Sequence, residues 1–459
     1  MSQDVDASRI PELSEVVSLV LAEARKAGAT QAEADASLQK GLTATVRLGE
    51  VDTVEYSRDR GLGITVYFGH RKGSASTGDL SAEAVRDTVG KACDIARYTA
   101  EDEFAGLADA VELARDIPNL QLDYPWAIDP QAAVELAKAC EAAGRAVDRR
   151  LTNSEGASVT THRGVRVYGN SLGFLAGYPS SSHSISCVLL AEQGEDMQRD
   201  YWFSSARDPA QLEAIESVGR RAGERAVARL GSRRLPTGKT KVLLAPEMAR
   251  GFFGHFLGAI RGGAQYRKAS FLLGAAGQQI FPPFVHMHER PHIPGGQGSA
   301  PFDSEGVVTR DRELLRAGVL DGYVLGSYSA RKLGLRTTGN AGGNYNLSVD
   351  PGASTAASGL TSGTANLDLQ ALLKRMGRGL LVTELMGQGV NGITGDYSRG
   401  ATGFWVEGGT IAYPVQEVTI AGNLKDMYRS VIAIGSDIDT RGSLHIGSVL
   451  LDEMTVAGE

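Results

Sequence analysis

The chain has 459 residues, of which 42% are hydrophobic and 22% charged, ordinary globular values that exclude a disordered or fibrous polypeptide. Lys and Arg number 47 against 54 Asp and Glu, and the net charge of −7 offers no broad attraction to phosphate backbones, so nucleic-acid binding is not expected. At roughly 150 residues per domain the length predicts two or three domains.

Three cysteines, Cys93, Cys140 and Cys187, are too few and too dispersed for a disulfide framework or a paired Cys-x-x-Cys metal site, which fits a reducing cytoplasm. The acidic start MSQDVDASRIPELSEVV lacks the basic residues and apolar core of a signal peptide. No run approaches the roughly 18 apolar residues of a membrane span. A cytoplasmic protein without a membrane partner is therefore expected. Glycine stands out, with 57 residues, and predicts many tight turns.

The first stretch, residues 1–100, opens with a helix over 11–27, where Leu13, Val16, Val17, Val20 and Leu21 recur at helical spacing and Gly28 marks the stop. Period-two alternation then predicts strands through Ala32–Leu38, Leu42–Leu48 and Leu62–Phe68. Turns are expected at Lys40-Gly41, Arg60-Gly61 and Lys72-Gly73, giving an antiparallel meander. Ser81 caps a helix that carries Val85, Val89, Ala92 and Ile95 on one side.

The second stretch, 101–232, crosses an acidic connection to Asp129-Pro130, an N-cap followed by proline at the first helical position, and a helix runs to Arg149. A β-rich segment over 152–203 and a helix over 211–230 follow. The arginines of that helix, Arg220, Arg221, Arg225 and Arg229, read as a solvated face. Helix, strands and helix thus occur twice, the pattern of a duplicated unit, and the two stretches together form an N-terminal domain. After a linker at 231–238 comes a C-terminal β-rich domain, 238–459. It begins with a strand over 241–245 and a helix in which Met248, Phe252, Phe256 and Ile260 repeat every four residues, and a further helix is expected over 368–376, ending at Gly377. The fold class is α+β.

His288-Glu289-Arg290-Pro291-His292 is a literal H-E-x-x-H, which on a helix would place two zinc ligands one turn apart with a carboxylate to activate water. Pro291 opposes that helix, so the cluster His286, His288, Glu289 and His292 reads as a decoy in a solvent-exposed, proline-stiffened loop. The glycine-rich segment 383–427 offers Glu384, Asp396, Tyr397 and Arg399 as groups that could orient a ligand. Gly387-Gln388-Gly389 is not followed by a helix pattern, as a phosphate loop requires, and no nucleophile elbow is present.

The chain resembles the TldD/PmbA family, known as modulators of DNA gyrase, in its PmbA (TldE) branch. The resemblance runs the full length through "GEVDTVEYSRDRGLGITVYFGHRKGSAS" (49–76), "RDYWF" (199–203), "GFFGHFLGAIRGGAQYRKASFLL" (251–273), "PFDSEGV" (301–307), "YSARKLGLRTTGNAGG" (328–343) and the run 383–427. It implies a two-subunit metallopeptidase whose TldD-type subunit carries His-Glu-x-x-x-His on the helix equivalent to 247–260 and a cysteine ligand near the C-terminus. The matching positions here are Arg250, Gly251 and His255, and no cysteine follows Cys187. A guanidinium has no lone pair to donate and glycine cannot move a proton. The resemblance therefore implies a subunit with no catalytic residue and no metal of its own, with zinc in a TldD-like partner. Its role would be to complete a channel for unfolded peptides, with Glu384, Tyr397 and Arg399 as lining, and to form a homodimer when isolated. Two other expectations are an autonomous metallopeptidase built on His286–His292 and a protein-binding modulator of gyrase.

Overall fold

The computed structural model describes residues 5–354 and 367–458. The N-terminal domain repeats one unit. Helix α1 (Ile10–Lys26) leads through Gly28, at φ +88°, into strands β1 (Gln31–Arg47), β2 (Glu50–Phe68) and β3 (Arg71–Thr77) and then α2 (Ala82–Tyr98). The second unit runs through α3 (Pro130–Arg145), β4 (Asn153–Asn170), β5 (Leu175–Gln193), β6 (Asp196–Ala206) and α4 (Ile215–Ala228). The two meanders join through the antiparallel β1–β4 pair into one sheet of order β3-β2-β1-β4-β5-β6. Ala32, Ala34, Ala36 and Leu38 of β1 pack with α1 and α2, while Leu42, Ala44 and Val46 on the same face pack with α3. Ser81 and Asp129 cap α2 and α3 by accepting from the amides of Ala84 and Ala132.

The strands are fewer and longer than the glycine pattern predicts. Lys40-Gly41, Arg60-Gly61 and Lys72-Gly73 lie inside β1, β2 and β3, and the chain reverses instead at Leu48-Gly49 and Gly69-His70. Close packing, not turning, is what Gly41 and Gly73 serve: a Cβ on Gly41 would stand 2.3 Å from His162 Nδ1, and one on Gly73 2.1 Å from the Ala92 carbonyl oxygen of α2. On α2, the buried side is completed by Cys93 and Ala96, and Ile95 is exposed.

In the C-terminal domain β7 (Gly238–Leu244) enters α5 (Pro246–Ala259) and the short α6 (Gly262–Tyr266). A five-stranded sheet of order β10-β9-β8-β11-β17 comprises β8 (Met287–Glu289), β9 (Arg312–Arg316), β10 (Val319–Leu320), β11 (Leu347–Val349) and β17 (Leu444–His445). Helix α7 (Ser327–Lys332) lies between β10 and β11 in the chain, and β12 (Gly352–Ala353) and α8 (Leu369–Met376) precede the remaining strands. These are β13 (Gly379–Met386), β14 (Asp396–Glu407), β15 (Thr410–Asn423), β16 (Val431–Ile434), which follows α9 (Leu424–Arg429), and β18 (Val449–Ala457). Strand β18 pairs with both β15 and β7, so β7, β13, β14, β15 and β18 close into a barrel. As expected, α8 ends at Gly377, with φ +68°. Among the described residues no helix is long and apolar enough to cross a membrane.

Candidate functional site

Helix α5 presents two unlike faces. Phe252, Phe253 and Phe256 are buried among Phe281 and Tyr428, with ring centroids 4.8 Å apart for Phe252–Tyr428 and 5.0 Å for Phe253–Phe281, and the Tyr428 hydroxyl donates to the Phe252 carbonyl at 3.2 Å. The opposite face carries Gly251, Gly254 and Gly258, all exposed, and a Cβ on any of them would meet nothing within 4 Å. His255 sits half-buried beside them. Its ring meets Tyr397 of β14 edge-on at 6.0 Å. Burial and the nearby Arg399 guanidinium hold the imidazole below its usual range, so it is neutral at pH 7. Burial likewise pushes the Tyr397 phenol up to about 12.

Arg250 turns away from this open face. Its Nη1 donates to Asp439 Oδ2 at 2.9 Å and its Nη2 to the Arg441 carbonyl at 3.3 Å, which staples α5 to the loop before β17. Gly442 makes room for it, because a Cβ there would stand 2.1 Å from Nη2. Burial would raise the Asp439 carboxyl, but Arg441 and Arg250 together hold it below the ordinary carboxylate range.

From Asp439 a chain of alternating charges crosses to the N-terminal domain. Arg441 bridges Asp439 and Glu247 at 2.9 and 3.1 Å; Arg225 bridges Glu247 and Asp200 at 3.6 and 3.1 Å; Arg229 bridges Asp200 and Glu384 at 3.5 and 2.5 Å. Arg441 also lies 3.7 Å from the Trp202 ring centroid, and Arg221 lies 4.0 Å from it. Of these, Trp202, Arg221, Arg225, Glu247, Asp439 and Arg441 line a groove of about 570 Å³ at the domain boundary. The reading of the α4 arginines as a solvated face is therefore corrected: only Arg220 and Arg221 are exposed, and Arg229 is buried. Their usefulness lay in their fourfold spacing, 221, 225 and 229, which aims them at one neighbour. Of this network sequence reasoning named only Arg250 and Glu384 as site residues. The "RDYWF" segment, which supplies Asp200 and Trp202, was the available signal.

The expected channel residues separate into two places. Arg399 lies with His255 beside the open side of α5, its Nη2 donating to the Leu385 carbonyl at 3.4 Å, whereas Tyr397 is 3% exposed and belongs to the core beneath His255, not to a channel surface. Glu384 is occupied by Arg229 in the interdomain network. Asp396 accepts from Thr394 Oγ1 at 2.6 Å on the surface.

The H-E-x-x-H segment is not helical: Met287–Glu289 is β8. Nor is it a solvent-exposed loop, since Glu289 is 1% exposed. Pairing with β9 and β11 draws the segment into a sheet interior. Glu289 there faces Arg312 at 3.1 Å and accepts from Asn340 Nδ2 at 2.9 Å and the Tyr345 amide at 2.8 Å. His288 lies between Glu313 and Asp350, at 2.5 and 2.8 Å, His292 Nε2 is 2.8 Å from Thr309 Oγ1, and His286 Nδ1 accepts weakly from the Ala317 amide at 3.4 Å. Each group is thus engaged separately.

A zinc ion does not fit the donor set on α5. Arg250 is a cation already committed to Asp439, Gly251 has no carboxylate, and the cysteines are buried in the N-terminal domain. Among the described residues no group of three or more His, Cys, Asp and Glu is placed to hold a metal ion.

Three models of PmbA/TldA metallopeptidase domains match in order: domain 1 at residues 32–96, the central domain at 123–230 and the C-terminal domain at 237–458. The chain belongs to the PmbA/TldD family. It is 49% identical to "Metalloprotease PmbA" of Escherichia coli O157:H7, over 97% of this chain and 96% of that one. A crystal structure from Bacteroides thetaiotaomicron, described as a modulator of DNA gyrase, superposes with a TM-score of 0.90 at 26% identity, covering 98% of this chain and all of that one. TldE of Thermococcus kodakarensis shares the fold, with a TM-score of 0.81 at 18% identity and coverage of 96% and 100%. PmbA/TldD domains thus account for the duplicated N-terminal unit and the barrel, and the α+β class expected from sequence holds.

Proposed function

We propose that this chain is the non-catalytic, PmbA/TldE-type subunit of a two-chain metalloprotease for unfolded or modified peptides. One observation carries the proposal: where the family motif requires a metal ligand and a base, the chain has Arg250, ion-paired with Asp439, and Gly251. Zinc hydrolysis needs ligands with free lone pairs and a carboxylate that moves the proton of the bound water. His255 alone supplies neither set. Zinc belongs in this reading to a TldD-like partner, and this chain's contribution is surface.

The glycine face of α5 supports that role, because exposed Gly251, Gly254 and Gly258 let another backbone approach closely, beside the half-buried His255 and Arg399 side chains. Exposed strand edges offer main-chain pairing that accepts nearly any peptide sequence. The test is reconstitution. The chain alone is expected to leave an unstructured peptide intact, and addition of a TldD-like subunit is expected to give chelator-sensitive cleavage. Cleavage by this chain alone, lost with chelator, would overturn the proposal.

A further inference from the structure

We infer that Glu33 and Glu305 form a binding site for a primary alkylammonium group, as carried by a linear diamine or by a lysine side chain, in the crevice between the N-terminal sheet and the C-terminal domain. Glu33 alternates along β1 with Ala32 and Ala34, which are buried with the α1 and α2 side chains, so its carboxylate lies on the opposite face of the sheet. Glu305 comes from a turn of the C-terminal domain, where its amide donates to Asp303 Oδ1. Both residues border two adjoining cavities of about 440 and 630 Å³.

The crevice presents two carboxylates and no cation paired with either among the described residues. Glu33 accepts from the Tyr67 hydroxyl at 3.0 Å and from the Tyr168 hydroxyl at 2.7 Å, and both tyrosines are buried. Glu305 Oε2 accepts from the Ser327 amide at 2.8 Å, while Oε1 has no hydrogen-bond partner among the described residues. Ser327 is itself 5% exposed, and its hydroxyl has no partner either. Neighbouring carboxylates are compensated: Asp35 pairs with Arg166, Asp102 with Lys332 at 3.1 Å, and the buried Glu112 with Arg336. Burial, with the charge of Glu305 added, pushes the Glu33 carboxyl above its usual range against the pull of the two phenols. Lys72 borders the first cavity as an exposed residue and stays outside ion-pair distance.

The donor set selects an ammonium. Phenols engage both oxygens of Glu33, which obstructs the two-oxygen approach of a guanidinium fork, whereas an ammonium is a compact charge with freely directed donors. A divalent metal ion gathers about six or more oxygen ligands, and among the described residues no group of three or more His, Cys, Asp and Glu is placed to hold one. Tyr67 and Tyr328 border the first cavity and Tyr168 the second, adding aromatic surface that attracts cations.

The inference stands apart from the catalytic reading, because a silent and an active subunit could equally hold such a site. The test is isothermal titration calorimetry of the full chain purified alone with putrescine and with Nα-acetyl-lysine amide, and with n-butanol as the uncharged control. Saturable binding of at least one amine, and none of the alcohol, is expected. Tighter binding of putrescine would support the site with a free diamine as its ligand, and tighter binding of the lysine amide would support it with a peptide side chain. E33Q/E305Q, which keeps side-chain shape, should weaken binding at least about tenfold. The same charge change at two exposed positions, E50Q/E55Q, should leave binding unchanged, and Lys72→Met should tighten it by removing a like charge. Failure of both amines to saturate at millimolar concentration, equal losses in the two double variants, or undiminished binding by a folded E33Q/E305Q chain would each overturn the inference.

Discussion

The Arg250 guanidinium lies 2.9 Å from the Asp439 carboxylate, so a position that carries a metal ligand in the TldD-type motif here closes an ion pair between α5 and the loop before β17. Asp439 is nearly buried and is shared with Arg441. Removing one partner of such a group leaves charge poorly compensated. Arg250→Ala is expected to lower stability by about 1–3 kcal/mol in urea unfolding, while the double change R250H/G251E is expected not to create stoichiometric zinc binding, since no cysteine stands ready as the third ligand. Elemental analysis of that variant checks the second point, and one zinc per chain would contradict it.

The interdomain network makes a separate prediction. Arg441 touches Asp439, Glu247, the Phe203 carbonyl and the Trp202 ring at once, and its side chain is mostly buried. Arg441→Ala should cost about 2–4 kcal/mol and alter Trp202 fluorescence, and it should speed proteolysis within the 231–238 linker. Arg441→Lys should recover only part of the loss, because an ammonium cannot bridge two carboxylates and stack in the same geometry. Full recovery by lysine would show that charge alone matters.

Much of this was legible in the sequence, for identifiable reasons. The helices α1, α2, α3, α5 and α8 announce themselves by spacing and caps, since local rules decide them. The glycines at 41 and 73 misled because a turn glycine and a close-packing glycine look alike in one dimension, and the neighbours that distinguish them, His162 and Ser57 for Gly41 and Ala92 and Ala96 for Gly73, lie on other elements. The arginines of α4 misled for the same reason: their carboxylate partners Glu247 and Glu384 come from the other domain. On α5 the departures at Arg250 and Gly251 were visible at once, but that Arg250 is held by Asp439 was not.

A pH dependence follows from Asp303. Burial, then the charge of Glu305, pushes its carboxyl up to about 7, although the amides of Glu305, Val307 and Ala341 donate to it. A raised carboxyl binds its proton more tightly folded than unfolded, so its stabilising effect is complete below about pH 3.8 and is lost as pH rises toward 7. Asp303→Asn should lose stability overall, because Ala341 N–H loses its acceptor, but should show a flatter fall in Tm between pH 5 and pH 8 than the unaltered chain. Parallel Tm profiles would contradict the assignment.

Glu289 provides a control on the histidine cluster. It is tied to Arg312, Asn340, Asn344 and Tyr345, which is a structural role. Glu289→Gln should lower stability by about 1–3 kcal/mol, and leave the peptide cleavage of an assembled two-chain protease unchanged under conditions where the variant stays folded. Abolished cleavage by a folded, assembled variant would instead make Glu289 a catalytic base.

The most direct measurement is zinc per chain, by elemental analysis, on this protein purified alone and without a histidine tag. A value near zero, with no peptide cleavage, is what a subunit with Arg250 and Gly251 in the motif positions should give. A value near one, accompanied by chelator-sensitive cleavage, would contradict the silent-subunit proposal and turn attention to His286, His288 and His292.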